Sequence, residues 1–193
     1  MADIIIKEEI IAVANRLYEK NLNGGYGGNL SIREGKIIYI TRGGIPKVNL
    51  SEKDIALLDI EGNILEGKPS SEYKMHLYIY QQAPHVKAIV HAHPPYTMGF
   101  SIGPTQIPTN IFPETSLLIG EINIAKFFPS GSIELAQEVS QHFKNGAVAV
   151  LMEKHGITIA SQTNLWDAYY KLEAIEHVAI AAITHKIIKE AIK

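Results

Sequence analysis

In Val86-Lys87-Ala88-Ile89-Val90-His91-Ala92-His93-Pro94-Pro95, an apolar, β-branched run meets two histidines and then two prolines. The run predicts a buried strand over Val86–His91. Residues i and i+2 of a strand share a face, so the imidazoles of His91 and His93 can converge on one ion. Pro94-Pro95 ends the strand at once and leaves the pair at an accessible edge.

The neighbouring segments place that strand in a fold. Lys7–Leu22 reads as an amphipathic helix with Ile10, Ile11, Ala14 and Leu17 on one side, stopped by Asn23-Gly24-Gly25-Tyr26-Gly27-Gly28-Asn29. Leu30–Arg33 and Lys36–Ile40 form a hairpin turning at Glu34-Gly35, and Ile55–Ile60 a further strand before a turn at Glu61-Gly62-Asn63. Ser70 or Ser71 caps a helix that ends at Gln82, before Ala83-Pro84. Strands follow at Ile122–Lys126, Ala147–Met152 and Ile157–Ala160, with a short helix over Ser132–Phe143. Asn164 caps a last helix reaching close to Lys193. Helices do not alternate regularly with strands, so an α/β fold is expected, a three-layer α-β-α domain with a mainly antiparallel central sheet.

The 193 residues, 46% hydrophobic and 20% charged, suit one globular domain spanning 1–193. A net charge of -2 and a pI near 6.4 argue against a nucleic-acid or anionic-membrane partner. Without cysteine there is no disulfide framework, thiolate metal site or cysteine nucleophile. The N-terminus lacks the pattern of a signal peptide, and no apolar run is long enough to span a bilayer, so a cytoplasmic location is expected.

His155 lies in Glu153-Lys154-His155-Gly156, a tight turn between two apolar strands, from which it can join the first pair. Three histidines with an open coordination position are a common catalytic zinc arrangement, and Co2+, Mn2+ or Fe2+ suit imidazole too. The histidines at 85, 142, 177 and 185 read as ordinary surface or core residues. His76 follows Glu72 by four residues on one helix face, which allows a Glu/His metal pair; a core or supporting role is the favoured reading.

Three elements offer backbone amides to an anion: Gly27-Gly28-Asn29-Leu30-Ser31, Thr41-Arg42-Gly43-Gly44-Ile45-Pro46 with its cation, and Ser70-Ser71 at a helix start. Each alone is a turn or a cap. Together, with one of them directly preceding Glu72, they suggest a phosphate cradle.

These motifs, in their order, resemble the class II aldolase/adducin family over nearly the whole chain. The resemblance rests on Gly28-Asn29-Leu30-Ser31, Ile40-Thr41-Arg42-Gly43-Gly44-Ile45-Pro46, Pro69-Ser70-Ser71-Glu72, His91-Ala92-His93, Phe127-Phe128-Pro129-Ser130-Gly131 and His155-Gly156. The members most resembled are the fuculose-1-phosphate aldolases. The resemblance implies His91, His93 and His155 as zinc ligands, with Glu72 as a further ligand and the catalytic acid/base. It implies Gly28, Asn29, Gly44, Ser70 and Ser71 as phosphate-binding positions. A small phosphorylated sugar is the implied substrate, one Zn2+ per subunit (or Mn2+ or Co2+) the cofactor, and a homotetramer with sites at subunit interfaces the assembly. The sugar aldolases use a tyrosine from a neighbouring subunit where this chain has Phe112, so Glu114 or Tyr96 is expected to stand in. Rival readings within the family are a methylthioribulose-1-phosphate dehydratase, which carries a catalytic glutamate near Glu114, and a pentulose-5-phosphate 4-epimerase, which carries aspartate at the Glu72 position. Decarboxylase chemistry and an adducin-type interaction module without catalysis complete the set.

Overall fold

The computed structural model describes residues 2–103 and 105–192. Its elements run α1 (Ala2–Glu19), β1 (Asn29–Glu34), β2 (Ile37–Thr41), β3 (Ile55–Asp59), β4 (Ile64–Glu66), α2 (Tyr73–Gln82), β5 (Ala88–Ala92), α3 (Pro95–Ser101), α4 (Pro113–Ile119), β6 (Asn123–Ala125), α5 (Ile133–Lys144), β7 (Ala149–Met152), β8 (Ile157–Ser161) and α6 (Leu165–Ala191). One eight-stranded sheet has the order β4-β3-β2-β1-β5-β8-β7-β6. Every pairing is antiparallel except β6 with β7, which α5 joins as a crossover.

Alternation along β5 divides the core. Ala88, Val90 and Ala92 face the cluster that includes Ile10, Val13 and Leu17 of α1 and Leu172 and Ile175 of α6. Ile89 faces the cluster that includes Met75 and Ile79 of α2 and Val139 and Phe143 of α5. The sheet is therefore covered on both sides, and a strand buried on both faces has to be apolar throughout, as β5 is until His91. By the same period, His91 shares the α2/α5 side with Ile89. This is the three-layer, mainly antiparallel α/β arrangement expected from the sequence.

Differences from expectation are local. α1 starts at Ala2 and stops at Glu19, because Ile4, Ile5 and Ile6 continue the helix while Leu22 tucks into the core beyond its end. β5 lies slightly later than Val86–His91, at Ala88–Ala92, and it is central, so the histidines stand at a strand end and not at a sheet edge. Neither Ser70 nor Ser71 caps α2; Glu72 is the N-cap and Tyr73 the first helical residue. The cause is upstream, where Pro69 bridges Arg42 and the Ser70 amide donates to the Thr41 carbonyl, holding the chain extended. Ser70 Oγ then accepts from the Glu72 amide in a local turn. β4, α3 and α4 had no clear sequence signal, being three to seven residues long; proline occupies the first turn of both short helices. The last helix follows the Asn164 cap, whose side chain accepts from the Asp167 amide, and it runs to Ala191, close to Lys193 as expected.

Candidate metal centre

The β5 strand brings His91 to its end on the α2/α5 side, with His93 just past it. β8 pairs with β5, Ala92 opposite Ile157, so the β7–β8 turn carrying His155 sits beside them. One nitrogen from each of His91, His93 and His155 lies within 4.8 Å of the others. Their ring centroids are 4.8 to 5.3 Å apart. Sequence reasoning named these three, and the fold assembles them.

Their surroundings fit a cation. His91 Nδ1 is 3.1 Å from the Ile157 carbonyl and 3.2 Å from Thr158 Oγ1. A carbonyl only accepts, so Nδ1 carries a proton and the ring is fixed with Nε2 toward the cluster. Nε2 of both His91 and His93 is buried without a hydrogen-bond partner, an arrangement that costs free energy unless something else is bound there. Burial, reinforced by the neighbouring imidazoles, pushes His93 down to about 3 and His155 down to about 4, so both are neutral and ready to ligate at neutral pH. The three imidazoles could hold a divalent metal.

Glu72 faces this cluster. Its Oε2 is 3.2 Å from His91 Nε2 and its Oε1 3.4 Å from His155 Nε2, contacts within ion-pair distance. The His91 contact lacks hydrogen-bond geometry. Asn29 Nδ2 donates to Oε2 at 2.9 Å and Ser130 Oγ to Oε1 at 2.8 Å. Burial alone would raise this carboxyl; the imidazoles of His91 and His155 and the Ser130 hydroxyl outweigh it and hold the group well below the usual carboxylate range. Glu72 is thus an ionised carboxylate aimed at the three imidazoles. His76, fully buried on α2, is not in the cluster; it bonds Asn29 and Ser31, the supporting place favoured from sequence.

Two glycines make room for His93. A Cβ on Gly27 would lie 2.7 Å from His93 Nδ1, and one on Gly156 would lie 2.4 Å from His93 Cδ2 and 2.5 Å from the Ala92 carbonyl. No side chain tolerates such approaches without displacing the ring. Gly156→Ala is therefore expected to push His93 out of the cluster, costing roughly 1–3 kcal/mol of stability and most of the bound metal. Elemental analysis of purified protein checks it; metal content equal to the parent's would show that His93 adapts.

The three anion-type elements meet beside Glu72. The Gly43 amide donates to the Lys68 carbonyl, the Ser70 amide to Thr41, and a Cβ on Gly43 would lie 3.0 Å from the Pro69 carbonyl. Asn29 reaches the group through Glu72 itself. Gly28 and Gly44 have φ of 68° and 76°, the left-handed region that glycine adopts freely. The amides of Gly44 and Ser71 make no hydrogen bond to another described residue. Arg42, by contrast, is directed to Asp54 at 3.9 Å.

A cavity of about 880 Å³ opens beside the histidines, lined by His93 and His155 with Gly27, with Met98 and Ile102 of the α3 segment, and with Lys154. α3 is anchored by buried Glu176 of α6, whose carboxylate accepts from the Tyr96 and Thr97 amides and from Thr97 Oγ1. Glu114 and Tyr96 do not line the cavity. Glu114 is exposed on the first turn of α4, and Tyr96 is turned to solvent.

A family model described as Class II Aldolase and Adducin N-terminal domain matches residues 8–183. The chain belongs to this class II aldolase and adducin family. An L-fuculose phosphate aldolase of Methanococcus maripaludis is 37% identical over 171 residues, 89% of this chain and 92% of that protein. A 3-oxo-tetronate 4-phosphate decarboxylase of Haemophilus influenzae is 32% identical over 185 residues, 93% and 87% of the two chains. Among solved structures, an L-fuculose 1-phosphate aldolase superposes with a TM-score of 0.86 at 33% identity, covering 95% of this chain and 87% of that one. The class II aldolase fold is therefore shown, and this family member is an enzyme, a lyase.

Sequence reasoning did not find Ser130 or the bond from Asn29 to Glu72. Ser130 sits in a quoted motif, yet its partner is 58 residues away and nothing local marks the pairing. Asn29, expected at the phosphate, has its amide engaged by Glu72 and His76, which leaves one N–H for an anion.

Proposed function

We propose that this chain is a divalent-metal-dependent aldolase, with zinc as the favoured metal, that reversibly cleaves a ketose 1-phosphate of the L-fuculose 1-phosphate type to dihydroxyacetone phosphate and a short aldehyde. The observation that carries the reading is the cluster of three imidazoles faced by the ionised Glu72, with the glycine and serine loops alongside.

His91, His93 and His155 would hold the ion, with Glu72 as a fourth ligand before substrate arrives. The ion supplies Lewis-acid stabilisation of the negative charge that develops on the substrate oxygens. Gly28, Gly44, Ser70, Ser71 and the free N–H of Asn29 bind and orient the phosphate, placing the reacting carbons between Glu72 and the cavity. In cleavage, the hydroxyl on the aldehyde side loses its proton to solvent water, the carbon–carbon bond breaks toward the enediolate, and Glu72, having taken up a proton from solvent, passes it to the enediolate carbon. In synthesis Glu72 removes that proton. Met98 and Ile102 form an apolar wall for a small aldehyde fragment.

Glu114 of the same subunit is exposed and does not line the cavity. In a homotetramer with sites at interfaces, Glu114 would come from a neighbour; the exposed Phe112, Leu117 and Leu118 around it support such a contact surface. A second reading, decarboxylation of a 3-oxo-acid phosphate, is favoured by the Haemophilus influenzae relative and needs the same stabilised enediolate with carbon dioxide as the leaving fragment. The dehydratase reading gains nothing from an exposed Glu114.

The test is aldol synthesis with metal-loaded protein, dihydroxyacetone phosphate and a panel of short aldehydes, with and without EDTA. EDTA-sensitive formation of a ketose 1-phosphate is expected. No product with any aldehyde, alongside carbon dioxide release from a 3-oxo-tetronate 4-phosphate, would replace the aldolase reading by the decarboxylase.

A further inference from the structure

Behind Glu72 runs an unbroken line of buried polar groups between α2 and β1. Asn29 Nδ2 donates to Glu72 Oε2 at 2.9 Å, and its Oδ1 is 2.5 Å from His76 Nε2. His76 Nδ1 is 2.7 Å from Ser31 Oγ, which is 2.8 Å from the Tyr80 hydroxyl; that hydroxyl also lies 3.1 Å from the Ser31 carbonyl. Asn29 and Ser31 are two apart on the strand, His76 and Tyr80 four apart on the helix, so each pair shares one face. His76 and Ser31 are wholly buried, Tyr80 and Asn29 nearly so.

The charge of Glu72 sets every donor in this line. A carboxylate only accepts, so Asn29 must turn its NH2 toward it and its oxygen toward His76. That oxygen only accepts, so His76 carries its proton on Nε2. Nδ1 then holds a lone pair, which takes the Ser31 hydroxyl proton, and the Ser31 oxygen can accept from Tyr80. Burial pushes His76 down to about 3, consistent with a ring that stays neutral.

We propose that His76 is a positioning residue: by donating from Nε2 to Asn29 Oδ1, it locks the Asn29 amide in the one orientation that presents N–H to Glu72, and so fixes the carboxylate that handles the substrate's carbon-bound proton. This rests on the reading of Glu72 as that proton shuttle. Without the imidazole, the buried Asn29 oxygen has no donor. With one of its two anchors gone, the amide no longer holds a fixed place, and the carboxylate that it steadies loses its working position. The glycine and serine amides of the phosphate loops and the three metal-holding histidines are untouched.

The experiment compares His76→Gln with His76→Asn in metal-loaded protein. A glutamine amide reaches the place of Nε2 and can donate to Asn29; an asparagine amide reaches only the place of Nδ1 and bonds Ser31. Two rates are read: aldol turnover, and exchange of the carbon-bound proton of dihydroxyacetone phosphate with D2O, followed by NMR without aldehyde. His76→Asn is expected to lose about 10- to 100-fold in both rates, the range typical for removing an outer-shell partner of a catalytic group. KM for the ketose phosphate should rise no more than a few-fold, through the one N–H that Asn29 offers the phosphate, and metal per chain should stay near the parent's. His76→Gln should recover to within several-fold. Ser31→Ala, a smaller excision, serves if His76→Asn does not fold and should slow exchange several-fold. In the parent, 15N NMR should find the Nε2–H tautomer of His76.

Equal rates for His76→Asn and the parent, equal losses in both His76 variants, an unaffected Ser31→Ala, or an Nδ1–H tautomer would each overturn the proposal. Glu72→Gln is run in parallel. If it exchanges normally, the reading of Glu72 fails and the positioning role falls with it. If it is inactive while His76→Asn is normal, only the positioning role fails.

Discussion

Replacing Glu72 by glutamine is expected to leave a folded protein that still binds metal and ketose phosphate yet turns over about 1000-fold more slowly, within the range seen when a general acid/base is removed. A factor of that size corresponds to roughly 4 kcal/mol of lost transition-state stabilisation. Glutamine has nearly the same volume, so α2 and its contacts with β1 should survive. Its amide carries no exchangeable acid proton of suitable pKa, and its NH2 now faces Asn29 Nδ2 or the Ser130 hydroxyl, both of which need an acceptor there. Metal affinity should fall only modestly, because three imidazoles remain. KM should hold, because the Gly28, Gly44 and Ser71 amides are untouched. The measurements are steady-state kinetics and elemental analysis on the same preparation. A kcat within a few-fold of the parent's would remove Glu72 from proton transfer, whatever its place near the metal.

How much of this was legible in the chain depends on which contacts are local. His91 and His93 followed from a strand's two-residue period, which no tertiary context can change. His155 followed from recognising a tight turn between two apolar strands; it needed only that β8 pair with β5, and it does. The three layers followed from strands too apolar to leave either face bare. What could not be read was register across the sheet. Asn29 stands opposite His91, and that pairing places its amide on Glu72 rather than on a free anion site. The start of α2 was missed for a related reason. Serine before an apolar helix is a good local cap signal, but the Thr41 and Arg42 strand end holds Ser70 extended, so Glu72 becomes the cap and its side chain is left to face the cluster. Glu114 illustrates the limit of analogy. Its place in the chain matches a catalytic glutamate of one relative group, while its place on a seven-residue helix leaves it in solvent unless another subunit covers it.

Stripping the metal should have the largest effect of all. Protein dialysed against a chelator and shown metal-free by elemental analysis is expected to lose on the order of 10,000-fold in turnover, since Lewis-acid stabilisation supplies several kcal/mol. Stability should fall as well. The buried nitrogens of His91 and His93 have no protein partner, so the metal-free state leaves them unsatisfied. Metal at about 1000 times its dissociation constant adds about 4 kcal/mol to the folded state, which for a chain of this size is a Tm difference of roughly 10 °C. Zinc, cobalt or manganese added back should restore both properties in the parent. In His91→Ala they should restore neither, because His91 is fully buried and its Nδ1 is fixed by the Ile157 carbonyl, so no flexible neighbour can take its place. Activity and Tm are separate readouts of one site and should return together at one metal per chain. Full turnover from metal-free protein would sink the metal-dependent reading, and a Tm indifferent to added zinc would show that the three imidazoles are not where the ion binds.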